Sequence, residues 1–229
     1  MNLESMAWLV QWVSVDSPVL PGPWAMQWWL HLGWSVVLAW GFAALGQAWP
    51  PRVRWAGAGL VALWCWVPGL YSPTHWLGMA FQAPSISSVV LCAWLLRESL
   101  QPSRRVLLLP SSVDRSTLAL AVLGSIAGWA LLLDSFALLP MSLYAWGFSP
   151  IAPALVLLVA GLPWVLECRD GALDTKAWVA PVAVLVFVAL RLPTGNAWDA
   201  VLDPWLWLLL QGYVVRAAFR RTSRLKSVH

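Results

Sequence analysis

The stretch STLALAVLGSIAGWALLLDSFALL, residues 116 to 139, constrains the fold more than any other feature of this chain. Asp134 is its one ionisable side chain. A helix needs about 20 apolar residues to cross the hydrocarbon core of a bilayer. The chain of 229 residues is 60% hydrophobic and 10% charged, too little polar surface to cover a water-soluble globule. The sequence therefore predicts an integral membrane protein.

Apolar segments recur along the whole chain and predict an all-α polytopic membrane protein with about seven transmembrane helices. The second and sixth segments are short and contain Pro68 and Pro181, so a kinked or re-entrant course is an alternative to a straight span there. We expect one integral membrane domain over residues 1–229. The predicted segments are 24–47, 55–71, 76–97, 116–139, 144–166, 177–191 and 198–218; the domain divides into an outer interfacial segment (1–23), a helix bundle (24–218) and a basic cytoplasmic tail (219–229).

The distribution of basic residues predicts the orientation of these segments. With the N-terminus outside and the C-terminus inside, Arg191 alone of the 14 basic residues falls on the outer face. This asymmetry follows the positive-inside rule and favours a multi-pass protein of the bacterial inner membrane. The net charge of +4 then reflects contact with anionic lipid, and no nucleic-acid partner is expected. We expect the basic tail to be a solvated flank, with a partner-docking segment as the alternative, and no cleavable signal at the N-terminus.

The chain is tryptophan-rich, with 20 tryptophans. Indoles anchor at the headgroup depth of a bilayer because one edge is polar and the rest apolar. An outer belt accounts for about half of them. Its predicted members are Trp8, Trp12, Trp24, Trp28, Trp29, Trp76, Trp146, Trp198 and Trp205.

Cysteines and histidines are the possible ligands of a soft metal. Cys65 and Cys92 fall within predicted segments and Cys168 at the inner rim, so we expect small buried residues and no disulfide. Copper ligation by Cys65 is the alternative. His31 and His75 could ligate copper or a haem, but their expected depths differ, which favours polar residues in helix contacts.

Carboxylates and one amide form the other candidate site. Asp134 lies near the outer end of the fourth segment, and Asp199 and Asp203 are four residues apart, on one face of the helix, at the outer start of the seventh. These aspartates and Gln82, in the polar run FQAPSISS, could line an outward-facing polar cavity. The alternatives are helix capping by Asp199 and Asp203, an interhelical hydrogen bond from Asp134, and helix packing around Gln82.

Enzymatic motifs are missing from the sequence. There is no glycine-rich phosphate loop, GxSxG, HExxH or CxxC. Paired carboxylates could serve as acid and base, but nothing identifies a nucleophile or a substrate. We therefore expect no enzyme; a small transporter or channel component that uses the three aspartates is the main alternative.

Two blocks of sequence resemble a known family. The run of Trp64, Trp66, Pro68 and Tyr71, followed by LCAWLL at 91–96, resembles the cytochrome c oxidase assembly factor CtaG family of bacterial membrane proteins. LYAWGFSPIAPALVLLVAGLPW is similar to a second block of that family, with a small gap. The first predicted segment loosely resembles the opening helix of that family through Met26 and an aliphatic run. In the second block the matching residues are Gly147, Ser149, Pro150, Ala160, Gly161 and Trp164.

The resemblance implies seven spans, an extracytoplasmic N-terminus and respiratory oxidase subunits as partners. Trp66 stands where the family motif has a histidine, and the next segment shows Met79, Ala83 and Ser87 in place of further histidines. Imidazoles are natural copper ligands, and His31 and His75 do not fall on the motif positions, so no metal residue carries over. An acidic residue and a glutamine of the second block are likewise replaced, by Pro153 and Ala154. We expect a non-catalytic inner-membrane accessory protein without a cofactor.

Overall fold

The computed structural model describes residues 18–99, 115–162 and 178–226, and these residues form an all-α structure without strands. Proline opens four helices, where its fixed φ suits the first turn and its missing N–H costs no hydrogen bond. A 3₁₀ turn occupies Gly69–Tyr71. The helices are α1 (Pro23–Leu45), α2 (Pro51–Trp64), α3 (Pro73–Phe81), α4 (Ile86–Ser99), α5 (Arg115–Ser135), α6 (Leu143–Trp146), α7 (Ile151–Ala160), α8 (Val179–Leu190), α9 (Ala197–Val201) and α10 (Pro204–Lys226).

Two of the described helices, Pro23–Leu45 and the Thr117–Ser135 part of α5, are long and apolar enough to cross a bilayer. Helices α7 and α8 are apolar but shorter. Large apolar side chains are exposed on most of the longer helices, as a lipid-facing surface requires. Examples are Leu32, Leu60, Ile126, Leu158, Leu185 and Leu208.

Helix α1 organises the packing, since it contacts α2, α4 and α3, while α4 also packs against α8 and α9. Helices α5 and α10 form a second close pair. Gly128 allows that contact, because a Cβ there would collide with the indole of Trp207. A cluster of buried hydrophobic side chains lies where α1, α4, α7, α8 and α9 meet. Its members are Trp29, Ile86, Val89, Ala152, Ala183, Phe187, Leu192, Ala197 and Ala200.

The predicted segment 76–97 is not one helix, because the chain breaks between α3 and α4. Gln82 ends α3 with φ at 61°, and Pro84 has no N–H with which to continue a helix. The break leaves two backbone carbonyls without a helical N–H partner. Two buried indole N–H groups donate hydrogen bonds to them instead. Trp34 Nε1 donates to the Gln82 carbonyl at 2.9 Å, and Trp29 Nε1 donates to the Pro84 carbonyl at 3.0 Å.

Three other predicted segments are also interrupted. The fifth divides into α6 and α7 around Pro150, and the seventh divides into α9 and α10 at Leu202, whose backbone is extended before Asp203 and Pro204. Helix α2 ends at Trp64, before Pro68. Pro181 lies in the first turn of α8 and leaves that helix unbroken. Hydropathy located these segments but could not show where a turn inside them had replaced helical bonding.

Several tryptophans donate hydrogen bonds to backbone carbonyls, a role that the predicted outer belt did not include. Two further indoles close the turn after α2, because Trp64 Nε1 donates to the Tyr71 carbonyl and Trp76 Nε1 to the Leu70 carbonyl, each at 2.8 Å. Trp198 Nε1 donates to the Leu143 carbonyl at 3.0 Å, beside α6. A carbonyl that leaves the helical pattern in an apolar setting needs a donor, and an indole brings one on a large apolar ring. Predicted belt members Trp8 and Trp12 lie outside the described residues.

Candidate functional site

A cavity of about 540 Å³ opens at the end of the bundle where α1 begins, which we call the upper end. Helix α1 forms one wall, and the turn after α2 together with the start of α3 forms the other. The sequence places these elements together because the turn from Cys65 to Ser72 brings the chain back beside α1. We call this cavity the upper pocket; its lining is Trp24, Gln27, Trp28, Leu30, His31, Trp66, Val67, Pro68, Gly69, Ser72, Thr74 and His75.

Four aromatic rings contact one another in sequence along the upper pocket. The ring centroids of Trp24 and Trp28 are 5.2 Å apart and those of Trp28 and Trp66 are 4.9 Å apart, with planes tilted by 53° and 60°. The His31 imidazole stacks on Trp66 at 5.3 Å with 24° between the planes. Trp24 and Trp28 meet because they are one helical turn apart on α1. We call these four side chains, three indoles and one imidazole, the aromatic wall.

The backbone carbonyl of Cys65 is the polar centre beside this wall. It accepts hydrogen bonds from His31 Nδ1 at 2.7 Å, from Ser72 Oγ at 3.0 Å and from Thr74 Oγ1 at 3.0 Å. The carbonyl is free to do so because the chain leaves α2 at Cys65. Ser72 also caps α3, since its Oγ accepts the N–H of Thr74. One oxygen therefore fixes side chains from α1, from the turn and from α3.

This arrangement determines which polar atoms remain for a ligand. A carbonyl oxygen can only accept, so Nδ1 of His31 carries the proton, and neutral His31 keeps its lone pair on Nε2. Ser72 and Thr74 have each committed their hydroxyl hydrogen to the same oxygen. These three side chains can therefore accept further hydrogen bonds, but they have no free hydrogen to donate.

The upper pocket contains both histidines that the sequence singled out, but it does not assemble a metal-binding cluster. Within the described part of the chain, no three His, Cys, Asp or Glu side chains lie close enough to share a metal ion. Cys65 is fully buried. His75 contacts Trp76 edge-on, with centroids 5.4 Å apart. The upper pocket thus contains two imidazoles, and Cys168 lies outside the described residues.

A second polar cluster, also at the upper end, surrounds Tyr144. Its backbone N–H donates to Asp134 Oδ2 at 2.7 Å, and its hydroxyl donates to Asp199 Oδ2 at 2.7 Å. Thr194 Oγ1 donates to the same carboxylate oxygen. Asn196, which is fully buried, donates from Nδ2 to the Tyr144 carbonyl at 2.9 Å. This group, which we call the Tyr144 cluster, ties α5, α6 and α9 together.

Electrostatics keep the Tyr144 hydroxyl protonated. Burial and the Asp199 carboxylate that accepts its hydrogen bond raise the pKa of Tyr144 above its usual range. The stability that this bond contributes is fully present below the usual tyrosine pKa and is lost as alkaline pH passes the raised value. Tyr144 therefore remains a donor at every physiological pH.

Asp203 lies apart from the Tyr144 cluster and joins two helix starts. Its Oδ1 accepts the N–H of Leu206 at 2.7 Å, which caps α10, and its Oδ2 accepts the N–H of Ser85 at 2.9 Å, just before α4. Ser85 Oγ in turn accepts the N–H of Ser88. Asp199 and Asp203 belong to different helices, so they do not share one helical face as their spacing had predicted.

The structure therefore brings only some of the sequence candidates together. Asp134 and Asp199 both contact Tyr144, whereas Asp203 bonds Ser85 and Leu206. Gln82 is exposed, and its backbone carbonyl, not its amide, makes the contact with Trp34. Tyr144, Asn196, Ser72 and Thr74 were not among the sequence candidates, and Trp28 was predicted only as a belt residue. Two of them carried a readable signal, because Ser72 and Asn196 are of the residue types that mark a helix cap.

The chain matches no protein-family model, and no curated protein or solved structure shows significant similarity to it.

Proposed function

We propose that this protein is a non-catalytic accessory of the bacterial inner membrane that acts in the biogenesis of a respiratory oxidase. It crosses the membrane seven times with the upper end outside, and its basic tail lies in the cytoplasm next to anionic lipid. The crossing segments are α1, α2, the broken pair α3 and α4, α5, α7, α8 and α10. Helices α6 and α9 lie at the outer surface. The partner class comes from the two sequence blocks that resemble the CtaG family.

The commitment of three aspartates of the described chain to internal hydrogen bonds is the observation that supports a non-catalytic role. Asp134 and Asp203 accept backbone N–H groups, and Asp199 accepts the hydroxyls of Tyr144 and Thr194. A general acid or base has to reach a reacting atom, and each of these carboxylates instead accepts hydrogen bonds from a helix end or a loop. Such bonds hold a scaffold in shape.

The exposed apolar surface supports a membrane partner. On α5, the side chains of Ile126 and Trp129 are 60% and 50% exposed, and α10 exposes Leu208 at 55%. These residues belong to the helix pair that packs together. In a bilayer such a surface meets either lipid or the spans of another protein, and packing is what drives association there.

We expect deletion of the gene in its host to lower the amount of assembled oxidase without changing transcription of the oxidase subunits. The physical reason is that an assembly scaffold acts on subunits already made. Haem absorbance and oxidase bands on native gels of membranes would measure the effect, with re-expression of the intact chain as the control. Unchanged oxidase content in the deletion strain would contradict the proposal.

A further inference from the structure

We propose that the upper pocket binds the ammonium group of an amine or of an amine-bearing lipid headgroup. This inference goes beyond the oxidase role and does not depend on it. It rests on three observations about the pocket: its indole rings, three polar side chains whose hydrogens are already donated to one carbonyl, and the lack of Asp, Glu, Lys and Arg among the described residues that line it.

The aromatic wall provides the attraction for a cation. An indole face carries negative electrostatic potential, and tryptophan is the strongest of the aromatic residues in binding an ammonium group. Trp24, Trp28 and Trp66 present three indoles in mutual contact, at centroid distances of 5.2 and 4.9 Å. Their planes are tilted by 53° and 60°, so the three rings that line the pocket face different directions. Aromatic cages for ammonium groups use such inclined faces.

The polar side of the upper pocket favours a ligand that donates hydrogen bonds. His31, Ser72 and Thr74 each give a hydrogen to the Cys65 carbonyl, which leaves lone pairs on His31 Nε2 and Thr74 Oγ1 and one on Ser72 Oγ, which also accepts the N–H of Thr74. A carboxylate or a phosphate would find no donor in these three groups. A primary ammonium has three N–H donors and no acceptor, which makes it complementary to them.

The lining of the upper pocket also excludes a tight ion pair. None of the described residues that line it is Asp, Glu, Lys or Arg. A strongly hydrated small cation would lose its water without a counter-charge, which is costly. An alkylammonium spreads its charge over a partly apolar group, and the indoles can replace part of its hydration.

The position of the upper pocket admits two sources of the same chemistry. Trp24 is 71% exposed and Trp28 48% exposed at the mouth, so the pocket is reachable from its surroundings. On the proposed topology this mouth lies at headgroup depth, where ethanolamine lipids place their ammonium. A free amine from the outer aqueous side would reach the same mouth.

Three probes that share one hydroxyethyl arm test the inference on the full chain in a nonionic detergent. Ethanolamine has an N–H donating ammonium, choline has a quaternary ammonium, and 3,3-dimethylbutan-1-ol is the neutral isostere of choline. We expect titration calorimetry to show binding of both cations and at least about tenfold weaker binding of the neutral isostere. Equal binding of choline and the isostere, or no binding of either cation, would overturn the proposal.

Trp28→Leu removes the central ring of the aromatic wall and keeps an apolar side chain. We expect it to weaken binding of both cations about tenfold. Trp129→Leu is the matched control, because Trp129 is 50% exposed on α5 and does not line the upper pocket. Should Trp28→Leu unfold, Trp24→Leu, at a still more exposed position, replaces it. Wild-type affinity in a folded aromatic-wall variant would refute the role of the wall.

His31→Phe tests the acceptor separately from the ring. Phenylalanine keeps an aromatic ring on Trp66 but has no Nε2 lone pair. We expect affinity for ethanolamine to fall about tenfold and affinity for choline, which has no N–H, to change less than about twofold. Equal losses for the two ligands would contradict the assignment of Nε2 as the acceptor.

Native mass spectrometry distinguishes the two sources of the ammonium. The chain is purified from membranes and exposed to phosphatidylethanolamine or phosphatidylglycerol. Retention of phosphatidylethanolamine by the intact chain, and its loss in Trp28→Leu, would identify a lipid headgroup. Binding of free ethanolamine without lipid retention would identify a soluble amine. Equal retention of both lipids together with no binding of ethanolamine would overturn the inference.

Discussion

Gly147→Ala is expected to destabilise the protein by about 3 kcal/mol or more. A Cβ at Gly147 would collide with the Oδ1 atom of Asn196 and lie 2.5 Å from Cδ1 of Trp198. Asn196 cannot move away cheaply, because it is fully buried and bonds the Tyr144 carbonyl and the Trp198 N–H. Displacing it would leave buried polar groups without partners.

The same substitution at Gly212 is the control for Gly147→Ala. Gly212 lies inside α10, and a Cβ there meets nothing within 4 Å. Alanine has the higher helix propensity, so Gly212→Ala should leave stability unchanged or raise it by about 0.5–1 kcal/mol. Thermal unfolding in detergent, followed by circular dichroism, compares the two variants. Equal midpoints for Gly147→Ala and Gly212→Ala would show that the Tyr144 cluster is not tightly packed.

Asp203→Ala is expected to have the second largest effect, a loss of about 2–4 kcal/mol. The substitution removes both acceptors that join α4 to α10, namely the bonds from Ser85 N at 2.9 Å and Leu206 N at 2.7 Å. Both N–H groups lie at helix starts, where no carbonyl of the same helix can replace the carboxylate.

Asp203→Asn provides the graded control for this prediction. An asparagine has one oxygen acceptor where the aspartate has two. It can therefore accept a hydrogen bond from the N–H of Leu206 or from that of Ser85, but it cannot accept both as well as the aspartate does. The expected order of stability is wild type, then Asp203→Asn, then Asp203→Ala. Unfolding midpoints in detergent measure this order. Similar midpoints for all three proteins would mean that the junction between α4 and α10 does not depend on Asp203.

The sequence predicted where most helical segments lie, because hydropathy reports which residues avoid water. Helices α1, α5 and α8 begin and end within a few residues of the predicted segments, and the all-α class is confirmed. Membrane crossing by α1 and α5 has support from their length and composition. The full count of seven spans stays a prediction, as does the resemblance to the CtaG family.

The breaks within segments could not be predicted from hydropathy. The break at Gln82 depends on a positive φ and on indoles that arrive from α1, which lies about fifty residues earlier in the chain. The polar run FQAPSISS lies at this break, but such a run can also line a cavity or pack between helices, so it did not identify a break. A proline in the sequence indicates that a helix starts or breaks nearby. It does not distinguish the first turn of a helix, as at Pro181, from a break between two helices, as at Pro84.

The candidate site was partly visible in the sequence. Its histidines and aspartates could be named as rare polar groups in an apolar chain, but their partners could not. Asp203 meets Ser85 across 118 residues and His31 meets the Cys65 carbonyl across 34, and no periodicity encodes such pairs. The carbonyl of Cys65 in particular has no side-chain signature, since it becomes an acceptor only because α2 ends there.

Topology mapping by cysteine labelling in intact cells tests the central claim, a polytopic scaffold with its upper end outside. Tyr71, 82% exposed, marks the upper end, and Leu45, 89% exposed, marks the opposite end of α1. Each is replaced singly by cysteine in a Cys168→Ser background, because Cys65 and Cys92 are buried. We expect a membrane-impermeant maleimide to label Tyr71→Cys in intact cells and Leu45→Cys only after permeabilisation. Labelling of both in intact cells, or of Leu45→Cys alone, would contradict the account.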